Sequence, residues 1–389
     1  MIKKSLTLLF ILFSLVLFSQ KTFVKELESD ILETTRNIKI YLPAGYETDS
    51  IKNYPIAIVL DEEYLFDIYV GNSILFSKKD KAPKQIVVGI SMEETKGNDV
   101  SFERTNGKLT TTANYFYEFI RDEVIFYMES NYRTSPFISL IGQGYSANLV
   151  SHFLKENTAF INSFVCINPS FSDFIGGELQ TYNLPKFSKE DNTFYFYTNN
   201  STSFSTTKQQ KIDQLQKGLA SIEIKNFNVI NDVISTKSSV SSIGEAVPRA
   251  MTKIFEIYAS ISKEEYEKNI KDLAPRDAIY YLESKYLEIE FLFGSNLGIR
   301  EKDIYTIESI IIEKENGDKL RDFGKMILKL FPTSPLGDYY IGRYYESGKM
   351  FKKALKQYKI GYGKMDAADP NSDAYYENIL RLGGQWLSS

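Results

Sequence analysis

Residues Phe137–Val150, which read FISLIGQGYSANLV, decide the fold of this chain. The apolar run Phe137–Ile141 is typical of a buried strand, Gly142–Ala147 is rich in small residues, and a helical pattern follows. A strand that turns sharply through small residues into a helix is the elbow on which many α/β proteins present a catalytic side chain. The stretch therefore predicts an α/β fold whose functional centre lies at this turn.

The composition is that of a large globular protein. The chain has 389 residues, 43% hydrophobic and 25% charged. Because compact domains usually run to about 100–200 residues, we expect two folded domains. The single cysteine, Cys166, excludes an internal disulfide, and with only one histidine, His152, besides it we expect no zinc site and no bound metal. We expect no cofactor.

The N-terminus predicts export. Lys3 and Lys4 precede an apolar run, Leu6–Phe18, that ends at Ser19-Gln20. This is the pattern of a signal peptide over residues 1–19, and the run is shorter than the roughly 20 apolar residues of a spanning helix, although a membrane anchor is the alternative. Removal takes away two of 46 basic residues and none of 50 acidic ones, which lowers the net charge from −4 to −6. We expect a periplasmic or extracellular protein with no membrane span in the mature chain and no nucleic-acid partner.

The pattern of apolar residues changes once along the mature chain, and this change predicts two domains. Up to about residue 260, apolar runs of strand length alternate with helical patterns, which indicates a mostly parallel sheet with helices on both faces, and we assign residues 20–260 to it. Residues 261–389 show long helical patterns and no convincing strand, which predicts an all-α domain. The predicted strands are Asn37–Leu42, Ile56–Leu60, Gln85–Ile90, Phe137–Ile141, Phe164–Ile167 and Thr193–Tyr197.

One segment of the helical domain resembles a tetratricopeptide helix pair. Ile341, Gly342, Tyr345, Ala354 and Tyr358 have the spacing of that repeat, with small residues where two helices approach closely. A single repeat cannot bury its own apolar face, so a generic helical bundle is the alternative.

Around the elbow the chain resembles the esterase D and enterochelin-esterase group of α/β-hydrolases. That family has Gly-His-Ser-Leu-Gly-Gly where this chain has Gly142–Ala147, GQGYSA. Further similar motifs occur in the family's order. They are Arg36–Tyr46 (RNIKIYLPAGY), Tyr54–Asp61 (YPIAIVLD), Ile86–Ile90 (IVVGI), Phe119–Thr134 (FIRDEVIFYMESNYRT) and Asn168–Ser170. The resemblance covers most of residues 36–258 and implies an α/β-hydrolase fold.

The residues that the resemblance places in the catalytic triad are not a serine, a histidine and an acid. Gly144 stands at the nucleophile position, and Lys237 stands where the family has its histidine. The region where the acid is expected, Thr198–Lys211, contains no Asp or Glu. Acyl transfer on this fold needs all three groups, so the sequence predicts a degenerate site. The resemblance also implies that the Tyr145 N–H is an oxyanion-hole donor, and Glu62 in the facing loop would be an unfavourable neighbour for an oxyanion.

Three functions are compatible with this pattern. The first is a non-catalytic protein that binds another protein, and the second is a binder of small carbohydrates or siderophore-like molecules in the former cleft. The third is a carboxylic-ester hydrolase with a non-standard site, in which Ser146 attacks and Lys237 is the base. Because Ser146 is two residues out of register with the family motif, we expect it to be a packing residue, and we expect a structural role for His152.

Overall fold

The computed structural model describes residues 21–155, 160–172, 174, 184–190, 192–221, 223–294, 297–366, 369 and 371–385. The predicted signal peptide lies outside these residues. The chain divides into two compact units. The first runs to Tyr258 and includes Leu292–Ser295, and the second comprises Ala259–Phe291 and the chain from Asn296 onward.

The first unit is built on a sheet in which eight strands are described. They are β1 (Lys21–Ser29), β2 (Thr34–Leu42), β3 (Tyr54–Val59), β4 (Ile86–Ile90), β5 (Thr134–Gln143), β6 (Ser163–Ile167), β7 (Phe194–Ser201) and β8 (Phe227–Ile234). Their order is β1-β2-β4-β3-β5-β6-β7-β8. Strands β1 and β2 are antiparallel to their neighbours, and all the others pair in parallel. The predicted mostly parallel sheet is confirmed, and each predicted strand corresponds to an observed one.

The two strands that the sequence did not reveal are β1 and β8, which form the edges of the sheet. Most side chains of β1 are exposed, and Phe227–Ile234 buries only its two terminal residues. Edge strands carry polar and charged residues that discourage pairing with another chain, so they lack the apolar runs of central strands.

Helices cover the sheet of the first unit. They are α1 (Glu62–Lys78), α2 (Lys96–Asp99), α3 (Thr111–Glu118), α4 (Ile125–Asn131), α5 (Tyr145–Lys155), α6 (Thr206–Ala220) and α7 (Ser239–Ile254). A π-helical segment, Phe119–Val124, joins α3 to α4. The apolar face of α3, the π-helical segment and α4 is buried, with Phe116, Phe119, Ile120 and Met128 fully inaccessible to solvent.

The regular secondary structure of the second unit is entirely helical among its described residues. Its helices are α8 (Lys263–Glu265), α9 (Pro275–Phe293), α10 (Glu301–Glu315), α11 (Leu320–Leu330), α12 (Pro335–Ser347), α13 (Phe351–Tyr362) and α14 (Ser372–Gln385). A Cβ on Gly342 would lie 2.5 Å from the ring of Tyr358, so the absent side chain lets α12 and α13 pack closely. The assignment of this pair as a tetratricopeptide repeat stays a prediction. Among the described helices, none is both long and apolar enough to cross a membrane.

Candidate functional site

The turn between β5 and α5 is a sharp elbow with Gly144 at its tip. Gly144 has φ +63°, a left-handed conformation that is costly for most side chains and easy for glycine. No atom outside its chain neighbours lies within 4 Å of the position that a Cβ would occupy. At Gly142 the opposite holds, because a Cβ there would lie 2.7 Å from the Ser146 carbonyl carbon. The turn therefore requires glycine at 142 and leaves open space at 144.

Backbone hydrogen bonds hold the elbow to the next strand. The Gly144 N–H donates to the Ile167 carbonyl (3.0 Å), and the Gly144 carbonyl accepts from the Ser170 N–H (2.9 Å). The segment Ile167–Ser170 thus fixes the tip of the elbow through both the N–H and the carbonyl of Gly144. The elbow geometry depends on these main-chain contacts and needs no side chain at position 144.

Asp61 is the residue of this region that sequence reasoning missed. It follows β3, is completely buried, and has a left-handed backbone with φ 60°. One carboxylate oxygen accepts from the Ser146 hydroxyl (2.9 Å) and the other from the Gln143 N–H (3.1 Å). Burial raises the pKa of the Asp61 carboxyl, and contact with Lys96 opposes that rise. Asp61 therefore fastens the end of β3 to both sides of the elbow.

The segment that carries Lys96 is itself anchored by a buried ion pair. Lys96, at the start of α2, pairs with Asp61. At the other end of this short helix, Asp99 accepts two hydrogen bonds from the Arg36 guanidinium, at 2.8 and 3.2 Å. The two partners of this pair are 9% and 6% exposed, so the guanidinium and the carboxylate depend on each other for charge compensation.

The carboxyl end of β7, where an acid would be expected in an active relative, carries amides and hydroxyls. The Asn199 side chain accepts from the Asn168 N–H and donates to the Asn168 side-chain oxygen, both at 2.8 Å. The same oxygen accepts from the Ser242 hydroxyl (2.7 Å). The first acid after β7, Asp213, accepts a hydrogen bond from Asn200 (2.7 Å). The Lys208 ammonium donates to the Asn168 carbonyl (2.9 Å) and to the Ser170 hydroxyl (3.3 Å). A network of amides and hydroxyls with one lysine, and without a carboxylate on Asn168, Asn199 or Ser242, thus occupies this part of the site.

The other residues singled out by the sequence lie in different surroundings. Lys237 is exposed, and the Tyr145 side chain is 65% exposed. His152 is half-buried with its ring edge-on to Tyr117 at 5.5 Å, as a structural histidine would be. Ser146 is completely buried.

Glu62 does not lie beside the elbow. Its carboxylate pairs with Lys39 of β2 (3.2 Å), and its side chain fills the space above Gly89 of β4. Since β4 and β3 separate β2 from β5, the expected conflict between this carboxylate and an oxyanion does not arise. The Glu62 side chain lies over β4 and β2 because Lys39 offers an ion pair there and Gly89 has no side chain to exclude it. Both residues are on strands to one side of β3, whereas β5 and the elbow are on the other side.

At the tip of the described elbow, Gly144 has no side chain. Covalent acyl transfer needs an activated hydroxyl or thiol within reach of a base, and Gly144 supplies neither. Among the described residues, no group of three His, Cys, Asp or Glu side chains is arranged to hold a metal ion.

Comparison with known proteins agrees with this architecture. Residues 29–170 match the model of the family described as "Putative esterase". None of the curated protein sequences matches the chain. A crystal structure of an uncharacterised protein from Capnocytophaga ochracea is similar at a TM-score of 0.80 and 21% identity, over 94% of this chain and 100% of that one.

Two further solved structures share the fold at lower similarity. An IroE-like serine hydrolase from Shewanella oneidensis has a TM-score of 0.56 and 20% identity, over 80% of this chain and 98% of its own. The BES protein from Bacillus cereus has a TM-score of 0.52 and 17% identity, over 60% of this chain and 94% of its own. The chain therefore has an esterase-like α/β-hydrolase fold, followed by a helical region.

Proposed function

We propose that this protein is an exported, non-catalytic member of the esterase-like α/β-hydrolases, in which the cleft or the helical domain binds a partner. Gly144 is the former nucleophile position and Lys237 the former histidine position. The observation that carries the proposal is the elbow itself, which keeps its positive φ, its required Gly142 and its backbone anchors while lacking a side chain at the tip.

The surroundings of Gly144 support the loss of the whole triad. Asn168, Asn199 and Ser242 hydrogen-bond one another beside the carboxyl end of β7, where the family resemblance would put the acid. Amide and hydroxyl side chains such as these cannot act as the general base that takes up a proton from a serine hydroxyl. The proposed oxyanion donor, the Tyr145 N–H, would then serve only to hold a polar ligand.

The alternative, an ester hydrolase that uses Ser146 and Lys237, is disfavoured by burial. The Ser146 hydroxyl is inaccessible to solvent and donates to Asp61. A nucleophile must come within about 3–3.5 Å of a substrate carbonyl, which a buried hydroxyl cannot do without opening the elbow. Ser146 thus has the geometry of a residue that joins α5 to the end of β3.

We also propose the remaining organisation from sequence: a signal peptide over residues 1–19, a hydrolase-like domain over 20–260 and a tetratricopeptide-like domain over 261–389. This arrangement would place the mature protein in the periplasm or outside the cell. The ligand would be a protein or a small polar molecule, and no cofactor is required.

The test of the proposal is hydrolysis of short p-nitrophenyl esters by the mature protein. We expect the rate with the protein to equal that with the Ser146→Ala variant and with heat-denatured protein. A saturable rate that Ser146→Ala abolishes would establish the alternative function. A binding screen with the full mature chain and with residues 261–389 would then separate cleft ligands from partners of the helical domain.

A further inference from the structure

Helix α13 and the turn before it are strongly basic in an otherwise acidic protein. The net charge of the chain is −4, yet no Asp or Glu occurs between Glu346 and Asp366. Six lysines lie in that interval: Lys349, Lys352, Lys353, Lys356, Lys359 and Lys364. Lys364 pairs with the buried Asp338, whereas the other five are exposed. We call these five residues the lysine face.

The lysine face is one continuous stripe. Residues of an α-helix follow one another at about 100°, so the four lysines within α13 lie inside an arc of about 120°. The opposite side of the helix, with Ala354, Tyr358 and Gly361, is buried. Ile360 falls inside the lysine arc, about 20° from its edge at Lys353, and is 42% exposed, which gives the stripe one exposed apolar side chain.

Three of the five charges on this face have no ion-pair partner within the described residues. No ion pair joins Lys349, Lys356 or Lys359 to a carboxylate there, and Lys353 lies 5.5 Å from the ring centre of Tyr345. The neighbouring carboxylate of Glu346 is already engaged by Arg381. Lysines three and four positions apart on the helix therefore repel one another, and a bound anion would relieve that repulsion.

We propose that the lysine face is a docking surface for an anionic lipid membrane, which the protein binds peripherally. The size of the face favours lipid over a protein partner. A twelve-residue helix is about 18 Å long and about 10 Å wide, far less than the roughly 800 Å² per partner of a stable protein interface.

Lipid headgroups do not need a large complementary surface. Each lysine near an anionic bilayer contributes independently, by about fivefold in the partition constant, and an exposed apolar side chain such as Ile360 can enter the interface. The proposal does not depend on whether the elbow is catalytic.

The experiment is co-sedimentation of the mature protein with vesicles of phosphatidylcholine, with and without phosphatidylglycerol. We expect binding only when phosphatidylglycerol is present, and release between about 0.1 and 1 M salt, where the screening length falls from about 10 to 3 Å. A triple Lys→Gln variant should bind about 100-fold more weakly. It carries the changes at Lys349, Lys356 and Lys359.

A matched control loses the same charge from exposed lysines of the first unit, at Lys217, Lys225 and Lys253. Its affinity for the vesicles should equal that of the unaltered protein, and thermal unfolding should verify that both variants are folded. Several results would overturn the proposal: no binding to anionic vesicles, equal binding to neutral ones, or an equal loss in both triple variants. Retention by nucleic acid or by an acidic protein, without retention by vesicles, would also overturn it.

Discussion

The sharpest consequence of the elbow geometry is that two glycines only two residues apart should respond very differently to alanine. At Gly144 a Cβ meets open space, so the cost is only that of a left-handed alanine, roughly 1–2 kcal/mol. Replacing glycine also lowers the conformational entropy of the unfolded chain, which stabilises the folded protein by about 0.4–1 kcal/mol. Gly144→Ala should therefore destabilise the protein by about 1 kcal/mol or less.

At Gly142 the added methyl group has no room. Its carbon would lie 2.7 Å from both the carbonyl carbon and the oxygen of Ser146, and 3.0 Å from the Ala147 nitrogen. These are backbone atoms of α5, so relief requires the elbow to open and breaks the hydrogen bonds that Asp61 makes to it. Overpacking costs about 1–3 kcal/mol even where side chains can move, so we expect about 3 kcal/mol or more for Gly142→Ala.

The assay is differential scanning calorimetry of both variants beside the unaltered protein. For a unit of this size, about 1 kcal/mol corresponds to about 2–4 °C, so Gly142→Ala should lower Tm by at least about 6 °C and Gly144→Ala by less than about 4 °C. Equal shifts for the two variants would refute the reasoning, because the contrast between a closed and an open position would then be absent.

Three further predictions concern the site and its supports. Gly144→Ser alone should hydrolyse p-nitrophenyl esters no faster than buffer does. Adding Lys237→His should raise the hydrolysis rate about 100-fold above that background. No gain in rate would show that position 237 does not face the elbow. Arg36→Met should cost about 3–5 kcal/mol in urea unfolding by leaving the Asp99 carboxylate uncompensated, and Arg36→Met with Asp99→Leu should recover most of that loss. Because burial raises the pKa of Asp61 above its ordinary value of 3.8, the folded protein holds this proton more tightly than the unfolded chain. The stability that protonated Asp61 contributes is therefore complete below pH 3.8 and is lost as the pH rises through the folded-state pKa. Over that pH range Asp61→Asn should gain stability relative to the unaltered protein. Parallel profiles of stability against pH for the two proteins would contradict this.

The central sheet could be predicted from sequence because its strands are buried on both faces. Residues 54–59, 86–90 and 163–167 are buried without exception, and such strands read as unbroken apolar runs. Strands β1 and β8 have one neighbour each and mixed polar patterns, so no apolar run marks them.

The candidate site was predictable in its backbone and not in its side-chain contacts. Gly142 and Gly144 directly follow a recognisable strand, so the sharp turn can be predicted from a few consecutive residues. The link between Asp61 and Ser146 joins residues 85 positions apart, and the sequence offered only one signal, an acid directly after a buried strand. Acids at the carboxyl ends of parallel strands meet at the functional edge of such sheets, so this signal could have been used. The position of Lys96 depends on a loop anchored by Arg36 and Asp99, which no local pattern encodes.

The most direct test of the central claim is covalent labelling with a fluorophosphonate, which reacts with activated serine hydroxyls whatever the natural ester. Mature protein incubated with the probe and analysed by intact mass should show no adduct, because Gly144 has no hydroxyl and Ser146 is buried against Asp61. A serine hydrolase treated in parallel confirms that the probe is active. A stoichiometric adduct mapped to Ser146 would contradict the account and establish a working nucleophile.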